Sequence, residues 1–358
     1  MSASKPEVGS MLKVGLHKDR VDSYLAGRRM FPVTLELDLT SRCTRSCPEC
    51  PSVNSADHHS LSLSYLERLL ASFEGQTPGL LLTGGEPTMA PLFPAALDQA
   101  RRYGFREIAV VTNGSLIDKP RVADALLRYA TTIRLSMYDW EDGSRGWFDG
   151  SLKRIESLRR RIDSEGSDLQ IGTSALTSAD RVERLDVLVG KLRSAGVHWI
   201  YFHPLCSKWG LGTPELADQA GVTAKIEEIQ ARGNGGDNVF FFRERYRETG
   251  LRFSGYHAAQ FLVVVGADGK NYLAPEVKYQ PDFVIANFPE ENGPEWLWDA
   301  RRQSLINSIR SQSYPAVQSR HRSILYNHFI EGLLRRESSA LEDFEIAART
   351  PFLFPFIL

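Results

Sequence analysis

The sequence predicts an α/β protein: a partial (β/α)6 barrel of the TIM type followed by a smaller α+β C-terminal domain. Three patterns predict it. Apolar, β-rich runs begin near Val33, Gly79, Arg106, Thr131, Asp168 and Val197. Segments with helical periodicity lie between them, at Tyr65–Phe73, Leu92–Arg102, Arg121–Tyr129, Leu152–Ile162 and Val182–Arg193. After Cys206 the alternation stops, and a hairpin signature appears instead.

Strands alternating with helices call for a parallel sheet with helical crossovers. About six units fall short of the eight that close a full barrel, so the barrel is expected to be open. Ligands should then bind at the C-terminal strand ends, where loops and helix N-termini converge. Ser64 and Glu67 read as a capping box that starts the first crossover helix.

Residues 207–221 read as a loop, Val222–Arg232 as a helix and residues 233–238 as a flexible link. Phe261–Val265 and Asn271–Ala274 flank a turn containing Asp268-Gly269, a hairpin signal. Helical segments follow at 299–311 and about 322–348. The expected division is an N-terminal extension over 1–30, the barrel over 31–234 and the second domain over 235–358.

A formal net charge of -1 gives no global reason to bind nucleic acid or an anionic membrane. The run Arg159-Arg160-Arg161 reads as a solvated helix face. Residues 1–30 contain no apolar signal core, and the C-terminal Pro351–Leu358 is short and broken by proline, so it is expected to tuck against the body. Three of the four cysteines, Cys43, Cys47 and Cys50, crowd into one short stretch; Cys206 is the fourth. That layout suits a metal site better than a disulfide framework, and a reducing, cytoplasmic location is expected.

Cys43, Cys47 and Cys50 follow the first strand directly as CxxxCxxC. One loop of that spacing can wrap three corners of an iron–sulfur cubane and leave the fourth iron open. Zinc held with His58 or His59 is the alternative, although structural zinc favours paired CxxC knuckles. Thr83-Gly84-Gly85-Glu86-Pro87 follows the second strand. Its glycines permit a close backbone approach, and Glu86 supplies a carboxylate acceptor.

With these two motifs the chain resembles the radical S-adenosylmethionine (AdoMet) superfamily. The resemblance implies a single-cluster barrel in which Cys43, Cys47 and Cys50 hold a 4Fe–4S cluster and AdoMet chelates its open iron. It implies reductive cleavage of AdoMet to a 5′-deoxyadenosyl radical that removes hydrogen from a substrate. AdoMet would be contacted by Gly84, Gly85 and Glu86, by Asn113, by Ser136 and by Thr173, read as ending the third, fourth and fifth strands. Glu49 departs from the family, which usually has an aromatic residue there. By family analogy the electron donor is a flavodoxin or ferredoxin.

The hairpin, with Ile285–Phe288 and Trp298, resembles the SPASM/twitch extension, but Ala274 stands where a cysteine is expected. One cluster and no auxiliary electron acceptor are therefore expected, which favours a redox-neutral outcome. Pocket candidates are Tyr138, Lys208, Trp209, Glu276, Lys278, Tyr279, Arg320 and Arg322; His203 ends the sixth strand. Cys206 is either a small buried hydrophobe or a hydrogen donor to a product radical. The expected substrate is a small sugar-containing natural-product intermediate. Relatives with this layout imply decarboxylation of a nucleoside uronic acid such as cytosylglucuronic acid, by a lyase or oxidoreductase of antibiotic biosynthesis, with a Lys or Arg pairing the carboxylate. The alternatives are an aminosugar dehydratase or dehydrogenase, a ribosomal-peptide maturase, and a silent iron–sulfur scaffold.

Overall fold

The computed structural model describes residues 7–47, 50, 57–138, 140, 146–204, 219–232, 238–247, 251–288, 293–314 and 322–358. Cys206, Lys208, Trp209 and Arg320, the loop over 207–218 and the expected boundary near 235 lie outside them, as does Glu49.

Six strands alternate with five crossover helices, as the periodicity requires. They run β1 (Thr34–Asp38), α2 (Leu63–Ala71), β2 (Gly79–Thr83), α3 (Phe93–Arg102), β3 (Glu107–Thr112), α4 (Pro120–Tyr129), β4 (Thr132–Ser136), α5 (Trp147–Glu165), β5 (Gln170–Thr177), α6 (Leu185–Ser194) and β6 (Trp199–Pro204). A short helix, α1 (Lys18–Leu25), precedes them. β1 to β6 pair in order and all in parallel.

Two strands extend this sheet in ways no local pattern announced. After α7 (Gln219–Ala231), β7 (Val239–Phe241) pairs in parallel with β6. At the other side β8 (Leu262–Val265) pairs in parallel with β1. β9 (Lys270–Tyr272) and β10 (Val284–Asn287) follow it antiparallel. The expected hairpin forms, and it is hydrogen-bonded into the same ten-stranded sheet as the βα units. α8 (Ala300–Ser308), α9 (Arg322–Leu334) and α10 (Ser338–Ala347) complete the chain. The helical stretch expected over about 322–348 is broken where Arg336 takes a left-handed φ of 56°.

Strand residues alternate between two different surfaces. Leu35, Leu37, Leu80, Leu82, Ile108, Val110, Ile133, Leu135, Ile171 and Phe202 share one core with α2–α6. The opposite face carries Glu36, Asp38, Thr83, Arg134, Ser136, Ser174, Tyr201 and His203, as the cross-strand registers show. We call this the inner face. Its lower half is closed by α9 and by segments around residues 8–11 and 353–354: Trp199, Tyr201, Phe240 and Phe242 pack with Leu325, Val8, Met11, Leu353 and Phe354. The C-terminal segment therefore tucks in as expected. The Phe356 carbonyl accepts from Thr34 Oγ1 at 2.6 Å, and its N–H donates to Glu107 at 2.8 Å.

One local expectation is corrected. The N-cap of α2 is Ser62, whose Oγ accepts from the Tyr65 N–H at 3.2 Å, so the helix starts two residues before the expected box.

Candidate functional site

The cysteine loop leaves β1 and is fastened on two sides before it reaches Cys43. On one side it meets the glycine turn after β2. The Gly85 N–H donates to the Thr40 carbonyl at 2.8 Å and the Glu86 N–H to the Arg42 carbonyl at 2.7 Å. A Cβ on Gly84 would lie 2.4 Å from the Thr40 oxygen, and one on Gly85 would lie 2.2 Å from that of Arg42. What approaches these glycines is thus the chain's own cysteine loop, a second reason for them beside the expected ligand approach.

On the other side stands Asn113, just past β3. Its Nδ2 donates to Thr44 Oγ1 at 3.0 Å and to Cys43 Sγ at 3.5 Å, and its Oδ1 accepts from the Ser115 N–H at 2.9 Å. The Arg45 N–H also points at Cys43 Sγ, at 3.4 Å. Glu86 joins the two sides. Its carboxylate, 0% exposed, accepts from Thr112 Oγ1 at 2.6 Å, from the Asn113 N–H at 2.7 Å, and from the Thr88 N–H and hydroxyl. Four such bonds offset the burial of its charge. Glu86 therefore sets the relative position of the β2 and β3 ends, whatever else it binds.

Cys43 is exposed, Cys47 and Cys50 are half-buried, and none of the three is in a disulfide. Among the described residues no three His, Cys, Asp or Glu side chains gather closely enough to hold a metal ion. The fit to an iron–sulfur cluster lies in the donor set: three soft thiols on one short loop, one of them already receiving N–H···S hydrogen bonds of the kind that tune cluster sulfurs.

Along the inner face, the strand ends keep accessible surface at Thr83, Val111, Ser136, Leu176 and His203. We read these positions as the rim of a hollow beside the cysteine loop. Ser136 ends β4 there, as expected. Thr173 does not: it lies mid-strand, fully buried, and pairs in register with Leu135 and Ile200 on the helix-facing surface. The β5 hydroxyl on the inner face is that of Ser174. The period of two assigns neighbours to opposite faces, and β5 runs longer than its pattern suggested.

The pocket candidates divide. Tyr138 stands edge-on to the His203 ring at 5.6 Å, and Tyr201 stacks on the same ring at 5.8 Å. Burial, then Arg245 and Arg134, hold His203 well below its ordinary pKa. Lys278 projects from the turn after β9 into the inner face. It donates to Asp38 at 2.8 Å, to Glu36 at 3.1 Å and to Thr83 at 3.3 Å. The Tyr279 hydroxyl donates to Asp38 at 2.7 Å, and Arg322 reaches Glu36 at 2.6 Å. Burial opposes the charge on Glu36, but Lys278 and Arg322 outweigh it and hold the carboxyl below its usual range.

Glu276 is in a different place. It is buried and accepts from Tyr256 at 2.6 Å, from Tyr314 at 2.7 Å and from Ser323 at 2.7 Å. Its acceptors are satisfied inside the C-terminal core, so it is a packing acid and not a pocket residue. Ala274, at the position where a cysteine was expected, is buried among Phe283, Ile285 and Leu273.

Three inner-face charges escaped the sequence reading: Glu36, Asp38 and Arg134. The signal was present in TLELD and TIRLS, where charged residues alternate with apolar ones in strands of a parallel sheet.

The radical SAM superfamily model matches residues 37–169, which span the cysteine loop, the glycine turn and Asn113. The match supports a place in the radical SAM superfamily. The PqqA peptide cyclase of Gluconobacter oxydans is 24% identical over 295 residues, covering 79% of this chain and 80% of that protein. The GTP 3′,8-cyclase of Parasynechococcus marenigrum is 34% identical over 228 residues, and the match spans 59% of this chain and 61% of that one. In fold, the chain is similar to Streptococcus suis SuiB bound to precursor peptide SuiA, with a TM-score of 0.63 at 15% identity over 80% of this chain and 69% of that. It is also similar to anSMEcpe with bound AdoMet and the Kp18Cys peptide, at 0.56 and 15% over 86% and 99%. These structural neighbours share the α/β fold with a mainly parallel sheet. Among the described residues no helix is long and apolar enough to cross a membrane.

Proposed function

We propose that this chain is a radical AdoMet enzyme that abstracts hydrogen from an organic substrate seated in the hollow of the inner face. The observation that carries this reading is the fastening at Asn113. One side chain bonds both Cys43 and Thr44 of the cysteine loop, while its backbone N–H is held by Glu86 of the glycine turn. Cys43, Cys47 and Cys50 would hold one 4Fe–4S cluster, with Gly84, Gly85, Glu86, Asn113 and Ser136 around AdoMet. When bound, the cluster and AdoMet supply a 5′-deoxyadenosyl radical. The chain's own part is to orient and to exclude. The hydrogen-bonded loop fixes where the thiols stand, and Lys278, Tyr279 and Arg322 wall one side of the hollow against water. The strands β1–β6, with the crossover helices α2–α6 on one face, are read as the wall of a partial barrel, and the hairpin region as a metal-free cap.

For the substrate, peptide modification takes precedence over the uronic acid inferred from sequence. The names of similar proteins include a peptide cyclase and three structures with bound peptide, whereas the uronic acid rests on the sequence resemblance alone. The small-acid reading is kept second because basic side chains do face the hollow.

The test is anaerobic reconstitution followed by quantification of 5′-deoxyadenosine with AdoMet and dithionite. The yield should disappear in Cys47→Ala, and a true substrate class should stimulate it; acidic peptides and cytosylglucuronic acid are the first to compare. Cluster-loaded protein that makes no deoxyadenosine would refute the reading.

A further inference from the structure

Among the described residues, the inner face carries a cation that no carboxylate balances. Lys278 is met by Asp38 and Glu36, and Arg322 by Glu36. Arg134, in the middle of β4, has a fully buried Nε with no hydrogen-bond partner, and no carboxylate among the described residues pairs with it. The acid whose field reaches it, Glu36, is already engaged by two other cations. Arg245 lies near as well, donating to the Tyr201 hydroxyl at 3.2 Å, and the charges of Arg245 and Arg322 both act on Arg134. Cations therefore converge here while the described carboxylates of the inner face, Glu36 and Asp38, are already engaged.

A guanidinium set into a strand interior is costly unless an anion and hydrogen bonds meet it. Arg134 also keeps accessible surface although it lies deep in the sheet, which is how a side chain lining an internal hollow behaves. Its planar fork matches a two-oxygen anion better than it matches water. The Tyr138 and His203 rings add flat surface.

We propose that the hollow takes an oxyanion of the substrate, a carboxylate or a phosphate, with Arg134 as its bidentate partner and Arg245 and Arg322 supplying further positive field. This rests on the radical AdoMet reading for its setting, but its test does not depend on turnover. Inorganic phosphate and malonate would be titrated separately into anaerobic, cluster-loaded protein by calorimetry, using wild type, Arg134→Gln, Arg134→Lys and the surface control Arg161→Gln.

Wild type and Arg161→Gln should bind at least one probe. Arg134→Gln should weaken binding tenfold or more, and Arg134→Lys should fall between them. Preference for malonate marks a carboxylate substrate, and preference for phosphate a phosphorylated one. If wild type binds neither probe, or Arg134→Gln binds as wild type does, the proposal is wrong. Should Arg134→Gln not fold, Arg134→Lys carries the comparison, and equal binding there and in wild type overturns the bidentate role. The electron paramagnetic resonance spectrum of the reduced cluster, with and without AdoMet, is recorded on the same samples. A spectrum that ignores AdoMet in wild type refutes the enzyme reading and leaves the anion result standing.

Discussion

Replacing Lys278 by Met should destabilise the protein more than almost any other single change outside the hydrophobic core. The ammonium is 5% exposed and is shared by Asp38 at 2.8 Å and Glu36 at 3.1 Å, two acids on the same face of β1. Without it, among the described residues Asp38 keeps the hydroxyls of Tyr279 and Thr83, and Glu36 keeps Arg322 and the Thr83 hydroxyl. Removing one partner of a buried ion pair costs about 3–5 kcal/mol, because the remaining charge stays desolvated. At roughly 2 °C per kcal/mol for a large chain, the melting temperature should fall by about 6–10 °C.

The pH dependence identifies the cause. The native pKa of Glu36 is depressed, so its stabilising contribution is present above the unfolded carboxyl pKa and is lost as pH falls through the folded one. In Lys278→Met Glu36 can relieve the repulsion by taking up a proton, so the gap to wild type should narrow on acidification. Adding Asp38→Asn to the variant should recover most of the loss. Calorimetry at pH 7.5 and 5 measures all three proteins. A variant within 2 °C of wild type, or a gap that widens in acid, would refute the reasoning (both bounds being rough working thresholds).

Four further outcomes are expected. Gly85→Ala places a Cβ 2.2 Å from the Arg42 carbonyl, so the cysteine loop must shift, and iron content after reconstitution should drop well below that of wild type. Asn113→Ala removes the bonds to Thr44 and Cys43 and should speed loss of iron to a chelator roughly tenfold or more, as removal of outer hydrogen bonds does at other metal sites. Glu276→Gln should cost about 1–3 kcal/mol in a denaturant melt, because three buried hydroxyls lose a charged acceptor, and should leave AdoMet cleavage per folded molecule unchanged. His17 is pushed down to about 4, chiefly by burial, so the folded state binds fewer protons than the unfolded one between about 4 and 6.5. Stability should therefore fall as pH drops through that window, and His17→Asn should flatten the curve.

What the sequence exposed and what it hid follow from the range of the interactions. The βα alternation, the cysteine loop and the glycine turn are written in consecutive residues, and each was found where its pattern stood. Ser62 rather than Ser64 caps α2 because both serines are plausible caps and only the chain's entry path decides between them. Thr173 was misplaced for a similar reason: the face a hydroxyl takes depends on the register with β4 and β6, and a shift of one residue inverts it. β7 and β8 were invisible as sheet extensions because a parallel neighbour many residues away leaves no local trace.

The inner-face charges were the largest omission, and they tie the fold to the site. An apolar reading of β1 sees Leu35, Leu37 and Leu39 and passes over Glu36 and Asp38 between them. Those two acids are tolerable in a sheet interior only because a segment some 240 residues later returns Lys278 and Tyr279 to them. The parallel pairing of β8 with β1 brings that turn into place, so the strand and the salt bridge are one device. Removal of either acid alone should therefore loosen the cap as well as the strand. Glu36→Gln is the cleaner case, since it frees Arg322 from its only described acid while leaving Asp38 on Lys278. Limited proteolysis of Glu36→Gln should cut near the start of α9 sooner than wild type. Equal cutting would mean that the cap is held by its apolar core and not by charge.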